Sequence, residues 1–271
     1  MRILHIWDQA GVSCVLAKYQ RRLGHEVFVF KKHGFDPFDI MPYYGDKAIT
    51  LKKTKYAMKS LFVPENYDVI HIHDLWQLVP VIRALWGDKK KIILHYHGTI
   101  LRRTPKMTRM IAEKIADKVL VSTKDLLQYG NFTYLPNPVD TELFNKPSDV
   151  VMNNTASVTI KGDMTEEAIK RILSDHGVKV KLDPTAWKAQ KVPYARMPEN
   201  LVRNQYFIDL FLYKGEVQDA HTLTGLQAMA LGVGTFCSDY KMHYALPREH
   251  YPENVVNQLE RIYNSPLKVK I

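Results

Sequence analysis

The chain has 271 residues, 46% of them hydrophobic and 24% charged, a composition that supports packed cores and excludes a disordered or fibrous protein. No run approaches 18 consecutive apolar residues, and the opening Met1-Arg2-Ile3-Leu4-His5-Ile6-Trp7 has the pattern of a buried strand, so a cytoplasmic protein without a spanning helix or cleaved leader is expected. The net charge of +10 is uneven: residues 1–146 hold 23 Lys+Arg against 14 Asp+Glu, and the remainder hold 15 against 14. Such asymmetry fits either an anionic partner of the first half (nucleic acid, a lipid headgroup layer or a phosphorylated substrate) or a solvated basic surface. Cys14 and Cys237 lie far apart without CxxC spacing, which argues against a disulfide framework or a zinc site.

In chain order, short β-branched or aromatic runs predict strands at Ile3–Trp7, Glu26–Phe30, Asp68–His73, Lys91–His97, Lys118–Ser122 and Phe132–Pro136. Amphipathic patterns between them predict helices at Val12–Leu23, Leu75–Trp86 and Thr108–Ala116. This alternation implies right-handed βαβ units on a parallel sheet, with ligands beyond the carboxyl ends of the strands. The periodicity breaks at Asn145–Thr155, so domains of residues 1–146 and 147–271 are expected. The second half predicts strand Ser157–Lys161, helix Thr165–Asp175, strand Val178–Leu182, helix Pro198–Asn204, strand Phe207–Tyr213, helix Leu223–Leu231, strand Gly234–Ser238 and helix Glu253–Tyr263. The sequence contains neither a GxxxxGK[ST] loop nor a GxGxxG loop.

Several segments, in this order, carry a resemblance: Leu23-Gly-His-Glu-Val27, Asp68-Val-Ile-His-Ile-His73, His95-Tyr-His-Gly98, Ala116-Asp-Lys-Val-Leu-Val-Ser122 and Leu135-Pro-Asn-Pro-Val-Asp140 with Phe144. Asp219-Ala-His-Thr-Leu-Thr-Gly-Leu-Gln-Ala-Met-Ala-Leu-Gly232 continues it, with Asp219 where Glu is usual and Gln227 at the second acid position. Together they resemble the GT-B glycosyltransferases of the retaining family 4, with a shortened C-terminal domain. The resemblance implies an α/β fold of two Rossmann-like domains with parallel sheets facing a cleft. The first would take the acceptor and the second a UDP- or GDP-linked sugar, with no metal or other cofactor.

Residue by residue, the resemblance points to His97 and Asp219 as catalytic. The head of the helix at His221, Thr222, Leu223 and Thr224 offers N–H groups and hydroxyls to a diphosphate, and Gln227 offers an amide to the ribose. Gly11 permits close backbone approach in the first βα loop. The family's Arg/Lys pair for the diphosphate has no clear counterpart; Lys161 and Arg196 are the candidate cations, with Lys191 as a further substitute. Asp74, Arg102 and Arg103 are placed on the acceptor side. His71 and His73 share a strand face, but a matching ligand set for a metal is not evident. The cationic segments Leu101–Met110 and Leu51–Lys59 interleave Lys and Arg with apolar residues, which suits an anionic membrane surface or a lipid-linked acceptor at the inner face of the membrane. No nucleic-acid motif accompanies the charge. The rival expectation is a degenerate GT-B module that binds sugar, lipid or a partner without turnover.

Overall fold

The computed structural model describes residues 1–31, 33–46, 63–145, 152–158, 163–183 and 192–266. Two compact units emerge: Met1–Pro138 with Pro252–Ile271, and Val139–Tyr251. In the first, β1 (Arg2–Ile6), α1 (Val12–Arg22), β2 (Glu26–Phe30) and the short α2 (Ile40–Tyr43) are followed by β3 (Val69–His73), α3 (Leu78–Trp86), β4 (Lys91–Tyr96), α4 (Thr99–Arg103), α5 (Lys106–Ile115), β5 (Lys118–Val121) and β6 (Thr133–Tyr134). The six strands form one parallel sheet in the order β2-β1-β3-β4-β5-β6. The order reverses between β1 and β3, and the loops after those strands frame the crevice where such sheets take ligands.

Alternation decides the two faces. Leu4, Ile6, Ile70, Ile72, Leu94 and Tyr96 enter one apolar core together with Val79, Ile82 and Ala112 of the covering helices. The residues between them, His5, His71, His73 and His95, are equally inaccessible and point to the other face.

The second unit holds β7 (Asn153–Val158), α6 (Glu166–Asp175), α7 (Met197–Leu201), β8 (Asn204–Ile208), the hairpin β9 (Leu212–Tyr213) and β10 (Glu216–Val217), α8 (Leu223–Ala230), β11 (Gly234–Phe236) and β12 (Met242–His243). Its sheet runs β12-β11-β8-β7, parallel except at β11–β12. Thr165 caps α6 by accepting from Ala168 N–H, with Glu166 and Glu167 in the first turn, where acids favour the helix dipole.

Three expectations are corrected. Pro198–Asn204 is not all helix: the helix ends at Leu201 and Asn204 opens β8, because its side chain bonds Thr155 and Asp183 across the sheet edge. Val178–Leu182 is not a strand; it contributes a single parallel bridge, Ala156 to Leu182. The division of the chain differs from the expected 146/147 boundary, falling after Pro138, and the final helix α9 (Pro252–Asn264) returns to the first unit. Buried chemistry holds it there. Lys91 Nζ donates to the carbonyls of Tyr263 (2.6 Å), Ile262 (3.2 Å) and Ser265, a cation at the negative end of the helix dipole. Tyr263 Oη lies 2.7 Å from His71 Nδ1, and His25 pairs with Glu260 at 3.0 Å.

Candidate active site

At the crevice of the first unit, the loop after β1 carries Trp7 at φ 76° and Ala10 at φ 54°, and Asp74 after β3 stands at φ 58°. Left-handed backbone at non-glycine residues is strained, and strain of this kind collects at functional sites. Asp8 organises the loop. Its buried carboxylate accepts from the N–H groups of Gly11 (3.0 Å) and Ser13 (2.8 Å) and receives Lys31 Nζ at 3.1 Å. Gly11 adopts a left-handed φ of 93°, and its N–H is taken by Asp8.

His97 follows the end of β4 and is the partly exposed member of a group of five imidazoles. His97 Nε2 lies 2.8 Å from His73 Nδ1, His73 Nε2 lies 3.0 Å from His5 Nδ1, and His5 Nε2 donates to Gln20 Oε1 at 2.8 Å. His71 stacks on His73 with 4.3 Å between ring centroids and reaches His95 at 3.3 Å. Burial pushes His5 down to about 4 against the hydrogen bond of Gln20, and His97 down to about 4 against the pull of Asp8. Burial, then the neighbouring rings, holds His71, His73 and His95 well below the usual histidine range. All five are therefore neutral at pH 7.

Asp74, expected on the acceptor side, braces the His97 loop. It is 7% exposed, and its Oδ1 accepts the backbone N–H of His97 at 2.9 Å, fixing the loop that carries the histidine. Burial pushes its carboxyl up to about 7, against the opposing His97 N–H bond. An acid raised in the folded state loses stability as pH climbs from about 4 through 7. Asp74→Asn keeps the acceptor and removes the buried charge, so its melting temperature is expected to exceed that of the wild type by several degrees at pH 8.5 and to match it at pH 5. Equal values at both pH settings would refute the assignment.

Arg102 also departs from its acceptor-side expectation: its guanidinium is buried against Asp125 at 2.5 Å. Arg109, in the same cationic stretch, is likewise internal, bonded to Glu113 and to Tyr129 O at 3.2 Å. Arg103 stays exposed.

In the second unit the head of α8 is held by a residue the sequence did not single out. Asp209, fully buried just beyond β8, accepts Thr222 N–H at 3.1 and 3.2 Å and lies 3.3 Å from His221 Nδ1. Thr222 Oγ1 then accepts Gly225 N–H, as an N-cap should. The N–H groups of Leu223 and Thr224 have no acceptor among the described residues. Burial opposes charge on His221, but the hydrogen bond and charge of Asp209, aided by Asp219 and Asp239, more than offset it and raise its pKa. An imidazole biased toward its protonated form therefore sits beside open helix N–H groups.

Asp219 is exposed just before this turn, and Arg196, also exposed, precedes α7, which packs on α8. Gln227 is largely buried on α8, 4% exposed. Lys161, Lys191 and the Leu51–Lys59 segment lie outside the described residues.

Comparison with known proteins follows this geometry. Residues 12–143 match the model of Glycosyltransferase Family 4. The chain resembles this family. Its GT-B fold is shared with solved structures of low identity. The Anabaena protein HepE in complex with UDP superposes with a TM-score of 0.56 at 11% identity, covering 96% of this chain and 89% of that one. The sucrose-phosphate synthase of Thermosynechococcus elongatus gives 0.54 at 13% identity, covering 97% and 89%. An alpha-glucosyltransferase in complex with UDP and a mismatched DNA 13-mer gives 0.55 at 13% identity, covering 98% and 91%. No curated protein matches the chain. Among the described residues no helix is long and apolar enough to cross a membrane.

Proposed function

We propose that this protein transfers a glycosyl group, with retention and without a catalytic metal, from a UDP- or GDP-linked donor to an acceptor. The observation that carries the reading is the head of α8. Asp209 fixes the turn, His221 is biased toward its cation, and Leu223 and Thr224 present open N–H groups. Leaving-group diphosphate needs this chemistry, and preorganised donors of this kind contribute roughly 10²–10³-fold each. His221 supplies part of the positive charge that the family's Arg/Lys pair usually provides. UDP in two of the similar structures supports a nucleotide donor. On this reading Asp219 holds donor-sugar hydroxyls and His97 lines the reacting centre.

The test measures nucleotide release from UDP- and GDP-sugars by the wild type, His97→Ala and Asp219→Ala. Turnover is expected to fall at least tenfold in each variant, and equal turnover in all three would overturn the assignments. Gln227, a neutral amide where the resemblance expects an acid, favours the second reading, binding without turnover. Calorimetry in which neither UDP nor GDP binds, with no donor consumed, would select it.

For the acceptor, we infer an anionic or lipid-linked molecule at a membrane surface. On α5, Met107 is 74% and Ile111 63% exposed, flanked by exposed Arg103, Lys106 and Lys114. Apolar side chains ringed by cations suit a headgroup boundary. Met107→Asp with Ile111→Asp is expected to release the protein from phosphatidylglycerol vesicles in a flotation assay; unchanged flotation would sink this part.

A further inference from the structure

The five-histidine face contains more convergent nitrogen than the transfer reaction uses. His73, His95 and His97 each place one ring nitrogen within 4.8 Å of the others. Where a row of hydrogen bonds ends on an acceptor, the bonds order the protons. Gln20 Oε1 accepts only, so His5 bears its proton on Nε2 and accepts at Nδ1; His73 must then donate from Nε2, leaving Nδ1 as a lone pair. His95 Nδ1 faces His71 Nε2, and His71 Nδ1 faces Tyr263 Oη. The site takes the tautomers in which His95 donates to His71 and His71 to Tyr263 Oη, which leave His95 Nε2 as a second lone pair. That atom is fully buried and has no hydrogen-bond partner among the described residues, a state that costs about 1–3 kcal/mol when nothing fills it. His97 Nε2, 2.8 Å from His73 Nδ1, donates to that lone pair in the metal-free protein and becomes the third ligand nitrogen when its proton moves to Nδ1; it belongs to the partly exposed ring, which gives access from solvent.

The geometry points to a three-histidine site, His73 Nδ1, His95 Nε2 and His97 Nε2, for a divalent cation of the zinc type. Two of the ligands have the backing that metal-bound imidazoles need, His5 behind His73 and His71 behind His95, each taking the opposite N–H. An all-imidazole set selects Zn²⁺, Co²⁺, Ni²⁺ or Cu²⁺ over Mg²⁺ and Ca²⁺, which demand oxygen. Zn–N bonds of about 2.0–2.1 Å put tetrahedral ligand nitrogens about 3.3 Å apart. The His73 and His97 rings therefore separate by roughly half an ångström on binding. The fourth position faces the open side of His97. A bound ion would immobilise His97, so it acts as an inhibitor of the proposed transfer rather than as its cofactor. The other mixed cluster, Asp209, His221 and Cys237, has its carboxylate already committed to Thr222 N–H.

The test uses tag-free, chelator-stripped full-length protein and reads binding rather than turnover, so it stands apart from the transferase reading. Calorimetry with ZnCl₂ should show one equivalent, and Co²⁺ should give the visible absorption of a four-coordinate site. His95→Gln should weaken zinc at least hundredfold, His5→Gln 10–100-fold as a backing residue, and His221→Ala should leave it unchanged. Nitrogen-15 spectra of the wild type provide a readout that does not depend on a variant folding: zinc should move His73 Nδ1, His95 Nε2 and His97 Nε2, the last with a change of tautomer. The proposal fails if no stoichiometric zinc binds, if His95→Gln binds as the wild type does, if His221→Ala loses the ion, or if His5 and His71 shift as ligands in place of His95 and His97.

Discussion

Acidification of the metal-free protein from pH 7 to pH 4 is expected to unfold the first unit cooperatively, with uptake of several protons. His5 and His97 are held at about 4 by burial, against about 6.5 in an unfolded chain. Between those values the unfolded state binds more protons, so stability falls as pH falls. At about 1.4 kcal/mol per pKa unit, the two residues together withdraw on the order of 5 kcal/mol by the acid end of that window. His71, His73 and His95 are lowered further still and act in the same direction. Asp74 works the other way, since its raised carboxyl gains its proton on acidification and favours the folded state. One group opposes five, and a domain's whole stability is only about 5–15 kcal/mol. Trp7, Trp76 and Trp86 pack against the first unit's core, so their fluorescence reports the transition. A midpoint well below pH 4, or a transition with no net proton uptake, would contradict the neutral assignment of the histidine face.

Gly225→Ala should be the most damaging single methyl in the second unit. A Cβ at Gly225 would collide with the Asp209 carboxylate, which is itself buried and tied to Thr222 N–H and His221. Neither partner has room to retreat, so the first turn of α8 must lift away. Overpacking of this kind costs typically about 1–3 kcal/mol, and misplacing a binding turn by about 1 Å costs roughly a hundredfold in rate. The variant is expected to lose more than two orders of magnitude in donor turnover, with UDP affinity falling in parallel. Thr222→Ala, which removes only the cap, should cost about 1 kcal/mol. Equal effects of the two variants, compared by calorimetry and thermal melting, would mean that the Asp209 contact does not position the turn.

The first sheet was legible because its signals are local. All six of its strands begin and end within two residues of where β-branched or aromatic runs place them, and parallel order follows from strand–helix alternation. His71 and His73, and His95 and His97, could be seen to share faces from spacing alone. That His5 joins them depends on the register of β1 with β3, where His5 stands opposite His71, and no local pattern encodes that. Asp209 was illegible for a related reason: its partners lie 12 and 13 residues downstream, and an aspartate closing an apolar strand has many ordinary uses. The partners of Arg102 and Asp74 were not legible because each lies 23 residues away in sequence. The last helix was readable as a helix, but its home was set by Lys91 and His71, more than 170 residues earlier.

That return of α9 bears on how the chain acquires its structure. The second unit, Val139–Tyr251, is a continuous stretch that can condense as soon as it has been made. The first is split by it: β3 and β4 are synthesised early, yet Lys91 and His71 wait for Tyr263. During synthesis the histidine face therefore stays uncovered and hydrated until the ribosome has passed residue 264, and contacts of such long sequence separation form slowly. The earlier-made half of the protein is the last to close.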